Sequence, residues 1–223
     1  MMGLEWALKK SLTGATRLRI AAEVGSDLPL FLVGGTVLGV GRGEEVHPLQ
    51  DLGDTPLVVV MPDVGVSTPR AFAEWDALTG GDARLSTNNH ELTHLGASDR
   101  LLEVGRVLSS WLSGSPNTGA LAKGGSRAGS LLLDLVRTGI ENDFEKVVFP
   151  QHPELRDMKR ALERAGSRYA SLSGSGSTVY GLFRSRAEAM KAASRLRKQG
   201  VQAVATSTLT RREFERKSLV ASR

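Results

Sequence analysis

The residues whose types and spacing could do chemistry begin with Asp27. It stands in Gly25-Ser26-Asp27-Leu28-Pro29-Leu30-Phe31, between a glycine turn and a proline, just ahead of the glycine-rich run Gly34-Gly35-Thr36-Val37-Leu38-Gly39-Val40-Gly41-Arg42-Gly43. A carboxylate placed this way can take a proton from a substrate hydroxyl as a general base, or it can cap a turn or helix; residue type alone leaves both open. A second group is Ser173-Gly174-Ser175-Gly176-Ser177-Thr178. Its glycines permit positive φ and bring backbone N–H groups close to an anion or a neighbouring phosphate loop, but a tight hairpin turn needs the same glycines. The third is His90-Glu91-Leu92-Thr93-His94, an H-E-x-x-H pattern in which two histidines four apart on a helix bind zinc and the glutamate acts as general base. Asn88 and Asn89 precede it, Gly96 follows closely, and Glu103 is the only convenient further carboxylate, so no metal ligands are assigned and a zinc metalloprotease is kept as a remote alternative.

These groups need elements to hold them. Leu4, Ala7, Leu8 and Leu12, then Leu18, Ile20 and Ala21, fall at helical spacing on either side of Gly14, which predicts two helices within residues 4–23. Pro29 is expected to end helical character, and the run from Pro29 to Glu45 reads as a bent, glycine-broken strand. Pro56 to Pro62 is a short apolar β-branched run, predicted to be a buried strand, and Ala71 to Leu78 reads as helical. Loops are expected from Gly80 to Ser98 and from Ser113 to Ser130, with a capped helix from Asp99 to Leu112 between them. The rest predicts a helix over 153–165, a strand over 169–172, a glycine turn, a strand over 179–183, a helix over 186–199 and a strand over 201–205. That α-β-β-α-β order matches part of a ferredoxin-like split βαβ unit.

Composition narrows the chemistry. The chain has 223 residues, 40% of them hydrophobic, enough for a sizeable core. It has no cysteine, which excludes disulfides, cysteine-ligated zinc, iron–sulfur clusters and thiol nucleophiles, and fits a reducing cytoplasm. Charge is scattered through the first 27 residues with no unbroken apolar core, so neither a signal peptide nor a membrane partner is expected. The net charge of +5 is concentrated from Arg184 onward. No aromatic residue interleaves Arg195, Arg197 and Lys198, so the cations read as solvated helix faces and no nucleic-acid partner is expected.

Four blocks, in order, carry a resemblance. Val24 to Leu49 resembles a segment in which G-A/S-D-V-P-F-F is followed by G-x-G-R-G-E. Gly65-Val66-Ser67-Thr68-Pro69-Arg70-Ala71-Phe72 resembles V-S-T-x-x-A-Y/F. Glu141-Asn142-Asp143-Phe144-Glu145 resembles N-D-L/F-E, and Ser171 to Thr178 resembles a glycine-rich M-S-G-S-G motif. Together they resemble the GHMP kinase family, in its branch of 4-diphosphocytidyl-2-C-methyl-D-erythritol kinases. The resemblance implies an α+β GHMP kinase fold, with residues 1–55 the remnant of a ribosomal S5 domain 2-like N-terminal lobe and 56–223 a ferredoxin-like C-terminal lobe. It also implies ATP-dependent phosphorylation, with Mg²⁺, of the 2-hydroxyl of a small-molecule substrate, CDP-methylerythritol, in non-mevalonate isoprenoid precursor biosynthesis. In that reading Asp27 is the catalytic base, Phe72 stacks on cytosine beside Thr68, and Gly174, Ser175 and Gly176 lie near the phosphates. Phe72 could equally be a core aromatic, and Asn142 and Asp143 either a helix cap or ligand contacts.

The G-L-G-G-G-S-S loop that binds ATP phosphates in the family is missing from the sequence, as is the catalytic lysine of the earlier strands. Met1-Met2-Gly3-Leu4-Glu5 resembles the helix that follows that loop. The expectation is an N-terminally truncated member, from a start placed too late or a frameshifted or decayed gene rather than a real shortened protein with another role, with little or no kinase activity alone. A catalytically silent homologue that binds a CDP-linked ligand is the alternative.

Overall fold

The computed structural model describes residues 2–49, 51, 53–78 and 141–220. The loops expected within 80–130, the helix expected over 99–112 and the H-E-x-x-H segment lie outside them. The chain divides into two compact units, residues 55–207 and residues 1–54 with 208–223.

In the unit of residues 55–207, β3 (Pro56–Val60) leads to α4 (Thr68–Leu78); after the segment outside the description come α5 (Glu145–Gln151), α6 (Pro153–Arg164), β4 (Tyr169–Leu172), β5 (Val179–Leu182), α7 (Arg186–Lys198) and β6 (Ala203–Ser207). The four strands form one sheet in the order β4-β5-β3-β6, with every neighbouring pair antiparallel. Numbered within this unit that is 4-1-3-2 read from the β6 edge, the ferredoxin-like order. The apolar run beginning at Pro56 supplies the strand that completes the split βαβ pattern, and it sits between β5 and β6 rather than at an edge. Alternation decides its faces: Val58 and Val60 are fully buried while Leu57 and Val59 are partly so. The helices meet them with complementary periods, Leu155 and Leu162 from α6 and Ala189, Ala192, Ala193 and Leu196 from α7. Alanines on that face of α7 let the helix lie close to the sheet, and Ser185 caps it by accepting from the Glu188 N–H at 3.2 Å. Arg195, Arg197 and Lys198 fall in its last turn, where cations favour the helix dipole. The final strand begins two residues later than its sequence predicts: Val201 closes the turn after α7 through its N–H to Leu196 O, and β6 opens at Ala203.

The other unit holds α1 (Met2–Leu8), α2 (Gly14–Val24), α3 (Leu28–Val33), a two-stranded sheet of β1 (Val37–Val40) and β2 (Glu45–Pro48), and α8 (Arg211–Val220). Gly14 opens α2, with Thr13 capping it through the Thr16 N–H at 3.2 Å. The segment after Asp27 corrects the sequence reading: Leu28–Val33 is a helix, not the start of a strand. Pro29 stands in its first turn, where a missing N–H costs nothing and the ring's φ suits the helix, so it starts a helix instead of ending one. An apolar run of six residues is too short for periodicity to separate helix from strand. Gly34 ends the helix at φ 64°, ψ 178°, and the chain turns into the β1–β2 hairpin.

Helix α8 is fixed to this unit by its first residues. Thr210 and Glu213 form a capping box: the Glu213 carboxylate accepts from the Thr210 N–H at 3.0 Å and hydroxyl at 2.7 Å, and the Thr210 hydroxyl accepts from the Glu213 N–H at 3.3 Å. Asp51 accepts from the Thr36 N–H at 3.0 Å and the Arg211 N–H at 2.8 Å, and the Arg211 guanidinium donates to Thr36 O at 2.9 Å. One turn on, Phe214 lies against Gly34 so closely that a Cβ there would stand 2.3 Å from its ring.

Candidate functional site

The Ser173–Thr178 turn joins β4 to β5 and is closed by its own backbone: Ser173 N–H donates to Thr178 O at 2.8 Å, and Gly176 N–H to Ser173 O at 3.0 Å. Gly174 (φ 56°) and Gly176 (φ 97°) take the positive φ such a turn requires. The motif is therefore a hairpin turn whose glycines leave backbone close to the surface.

Two other segments reach this turn. Thr68, the first residue of α4, places its hydroxyl 2.8 Å from the Ser175 hydroxyl, 107 residues away in sequence. Asn142 spends its carboxamide on three partners: the NH2 donates to Leu172 O at 2.9 Å and Gly174 O at 2.7 Å, and the oxygen accepts from the Phe144 N–H at 3.0 Å. With two carbonyls on one side and an N–H on the other, the network admits only this orientation of the amide. Asn142 thus makes an Asx turn into α5 and straps the glycine turn at the same time. Asp143 does neither; it pairs with Lys146 at 2.8 Å, and the Lys146 ammonium lies 5.4 Å from the Trp75 ring centroid.

Glu145 is the residue that sequence reasoning missed. Its carboxylate accepts from the Leu172 N–H at 2.9 Å, the Ser171 hydroxyl at 3.0 Å and the Lys159 ammonium at 2.5 Å. That anchors the end of β4 just before the turn begins. The signal was its place in the N-D-F-E block, but nothing in one sequence says which backbone group a glutamate will meet. Nearby on the sheet, burial and the neighbouring Tyr169 push the Tyr180 hydroxyl well above the usual phenol range.

Phe72 lies one turn after Thr68 on α4 and is 52% exposed, so the core-aromatic reading does not describe it. Its ring meets Phe144 edge to face, with centroids 4.8 Å apart and planes at 85°. Arg70 and Glu74 pair at 2.8 Å on the same helix, and Gln151 of α5 donates to Glu74. The Arg70 bond, with help from Gln151, holds the Glu74 carboxyl below the usual carboxylate range. The structure therefore brings Thr68, Phe72, Gly174, Ser175 and Gly176 onto one framework, with Asn142, Phe144 and Glu145 as its joints.

Asp27 belongs to the other unit and is described by itself. It occupies the N-cap position of α3 yet makes no capping hydrogen bond through its side chain. The carboxylate is exposed, and a Cβ on Gly43 of the hairpin turn would lie 3.9 Å from Asp27 Oδ1. In that turn the Arg42 N–H donates to Glu44 Oε2 at 2.6 Å. The Glu44 carboxyl is held below its usual range by its own N–H and by that of Arg42. Chemically, Asp27 is a charged, accessible acceptor beside a glycine-lined turn.

Comparison with known proteins gives the family that the chain is similar to. Residues 126–202 match the family model for the GHMP kinases C terminal domain. A 4-diphosphocytidyl-2-C-methyl-D-erythritol kinase of Solibacter usitatus is 38% identical over 167 residues, covering 75% of this chain and 43% of that protein. The enzyme of that name from Moorella thermoacetica is 32% identical over 209 residues, covering 94% of this chain and 62% of that protein. The chain spans about half the length of the relatives it matches. Among solved structures, a 4-(cytidine 5'-diphospho)-2C-methyl-D-erythritol kinase superposes with a TM-score of 0.58 at 23% identity, covering 92% of this chain and 60% of that one. Its likeness shows the fold.

Proposed function

The chain belongs to the GHMP kinase family, and on that premise we propose that it serves transfer of the γ-phosphoryl group of ATP to the 2-hydroxyl of 4-diphosphocytidyl-2-C-methyl-D-erythritol, in the cytoplasm. The observation that carries the reading is the Thr68–Ser175 hydrogen bond. It joins the segment that would receive the cytidine to the turn that would lie near the phosphates, two blocks that the chain keeps far apart.

The roles follow from the groups present. Phe72 offers a half-exposed ring whose edge contact with Phe144 fixes its angle, a platform for one pyrimidine. The Gly174-Ser175-Gly176 turn offers backbone N–H groups and two hydroxyls to oxyanions. Asp27, unspent on capping, accepts the proton of the substrate hydroxyl as that oxygen bonds to phosphorus and the bond from phosphorus to ADP breaks. In phosphoryl transfer most of the rate comes from positioning and electrostatics, so the base has a supporting part. Among the described residues no group of three or more His, Asp or Glu could hold a metal ion. Mg²⁺ enters as the ion that ATP carries, and no step is assigned to it.

The test is ligand binding by the purified chain. It is expected to bind CDP-methylerythritol, and Phe72→Ala to weaken binding about tenfold, the lower part of the roughly 1–3 kcal/mol that stacking one base contributes. Where turnover is measured, Asp27→Asn should lower kcat by about 10²–10⁴ with binding retained. Absence of binding, or equal binding by Phe72→Ala, would overturn the reading.

A further inference from the structure

We propose that Asn142 is a positioning residue: it aims the Ser175 N–H at a phosphate oxygen of the bound nucleotide. The inference rests on the kinase reading above and adds to it a donor atom and the side chain that orients it.

The argument runs through one peptide plane. The Asn142 NH2 holds Gly174 O at 2.7 Å. The Gly174–Ser175 peptide is trans, so its carbonyl and the Ser175 N–H point in opposite directions. Fixing the carbonyl toward Asn142 therefore fixes the N–H away from it. The second bond, to Leu172 O at 2.9 Å, stops the turn from rotating about the first. Within the turn the Ser173 and Gly176 N–H groups are spent on Thr178 O and Ser173 O, whereas no acceptor among the described residues takes the Ser175 N–H. A backbone donor left over in a half-buried place, with its direction set by a side chain, is what an oxyanion needs.

The residue type is decided by the same geometry. Asn142 needs two donors toward the turn and one acceptor toward the Phe144 N–H. Aspartate has almost the same shape and keeps the acceptor, but it sets a carboxylate against two carbonyl oxygens. Alanine removes the strap without adding repulsion. Thr68 reaches Ser175 only through its hydroxyl, so losing it leaves the backbone held. This separates the strap from the rest of the site. Phe144, which donates its N–H to Asn142, also packs against Phe72, so the phosphate end and the base end share one support.

The experiment is an amide NMR titration of the full chain, labelled with ¹⁵N, using ATP and, separately, tripolyphosphate. In the wild type the Ser175 amide proton should move downfield with both, which marks a polyphosphate contact; a response to ATP alone places the nucleoside in control of docking and still supports the assignment. In Asn142→Asp and Asn142→Ala that response should fall at least tenfold in apparent affinity, and exchange of the Ser175 and Gly176 amides should quicken, with far-UV dichroism unchanged. A Ser175 amide that is silent in the wild type overturns the proposal, and so does one that responds equally in a folded Asn142 variant. If CDP-methylerythritol binds while Ser175 is silent, the proposal falls and the kinase reading stands. If Ser175 answers ATP and CDP-methylerythritol does not bind, the reading falls and the donor assignment stands.

Discussion

Replacing Gly34 by alanine tests how the last helix is held. Gly34 sits at φ 64°, ψ 178°, a region that residues with a Cβ almost never enter, and forcing one there costs about 1–3 kcal/mol. The added Cβ would also stand 2.3 Å from Phe214 Cδ1 and 2.8 Å from Cγ, so the ring must leave its seat, at a cost of about 1–3 kcal/mol for overpacking. Taking about 1.5 kcal/mol from each range, Gly34→Ala should destabilise the unit formed by residues 1–54 and 208–223 by about 3 kcal/mol. Amide hydrogen exchange read by mass spectrometry is the suitable assay, because it reports each unit separately. Peptides from α3 and α8 should exchange on the order of a hundredfold faster, at about 1.4 kcal/mol for each factor of ten. Peptides from β4 and β5 serve as the internal standard. Gly166→Ala serves as the comparison without a clash: Gly166 also has positive φ, 97°, with nothing within 4 Å of its Cβ position. Phe214→Ala in the Gly34→Ala background should recover the steric share. If Gly34→Ala accelerates α8 no more than Gly166→Ala accelerates its own turn, or if Phe214→Ala rescues nothing, the packing of α8 on Gly34 is wrong.

Two further outcomes are expected. Glu145→Ala removes three hydrogen bonds from a carboxylate that is 13% exposed and leaves Lys159 without its partner, so urea unfolding should show a loss of about 2–4 kcal/mol. Glu145→Gln should recover part of it, and a loss under 0.5 kcal/mol would dismiss Glu145 as the anchor of β4. The Glu213 carboxyl is held below the usual range by the Thr210 N–H, then by its hydroxyl. A depressed carboxyl gives stability that is complete above its unfolded pKa and is lost as pH falls through the folded one. Start of fraying of α8 below the ordinary carboxylate range, absent in Glu213→Gln, is therefore expected in a pH series of amide exchange; a pH-independent α8 would contradict it.

What the sequence makes legible here follows the length of the signal. The face Ala189, Ala192, Ala193, Leu196 repeats over a whole helix, and the strand over 169–172 lies between clear turns, so both read correctly. Leu28–Val33 offers six apolar residues, one of them a proline whose meaning depends on whether it starts or follows a helix, so it reads as a strand yet folds as a helix. The β3 strand is recognisable from its β-branched residues, but its place between β5 and β6 depends on partners more than a hundred residues away. The site divides in the same way. Thr68, Phe72 and the glycine turn are visible as residues in a pattern, whereas their meeting is not. The work of Asn142 and Glu145 is the least visible part, because it is directed at backbone carbonyl and N–H groups that every residue possesses.

The pairing of Pro56 with Ser207 has one more consequence. Residues 55–207 leave and return to the other unit side by side, as an insertion in it. During synthesis at about 5–20 residues per second, the ribosome makes Asp51 and Gly34 and then works for roughly ten to thirty seconds before it delivers Arg211 and Phe214, which complete their surroundings. The inserted unit can close first. The one that encloses it in sequence must wait, with the place against Gly34 that Phe214 fills still open, and this interval is where a nascent chain of this topology has most need of a chaperone.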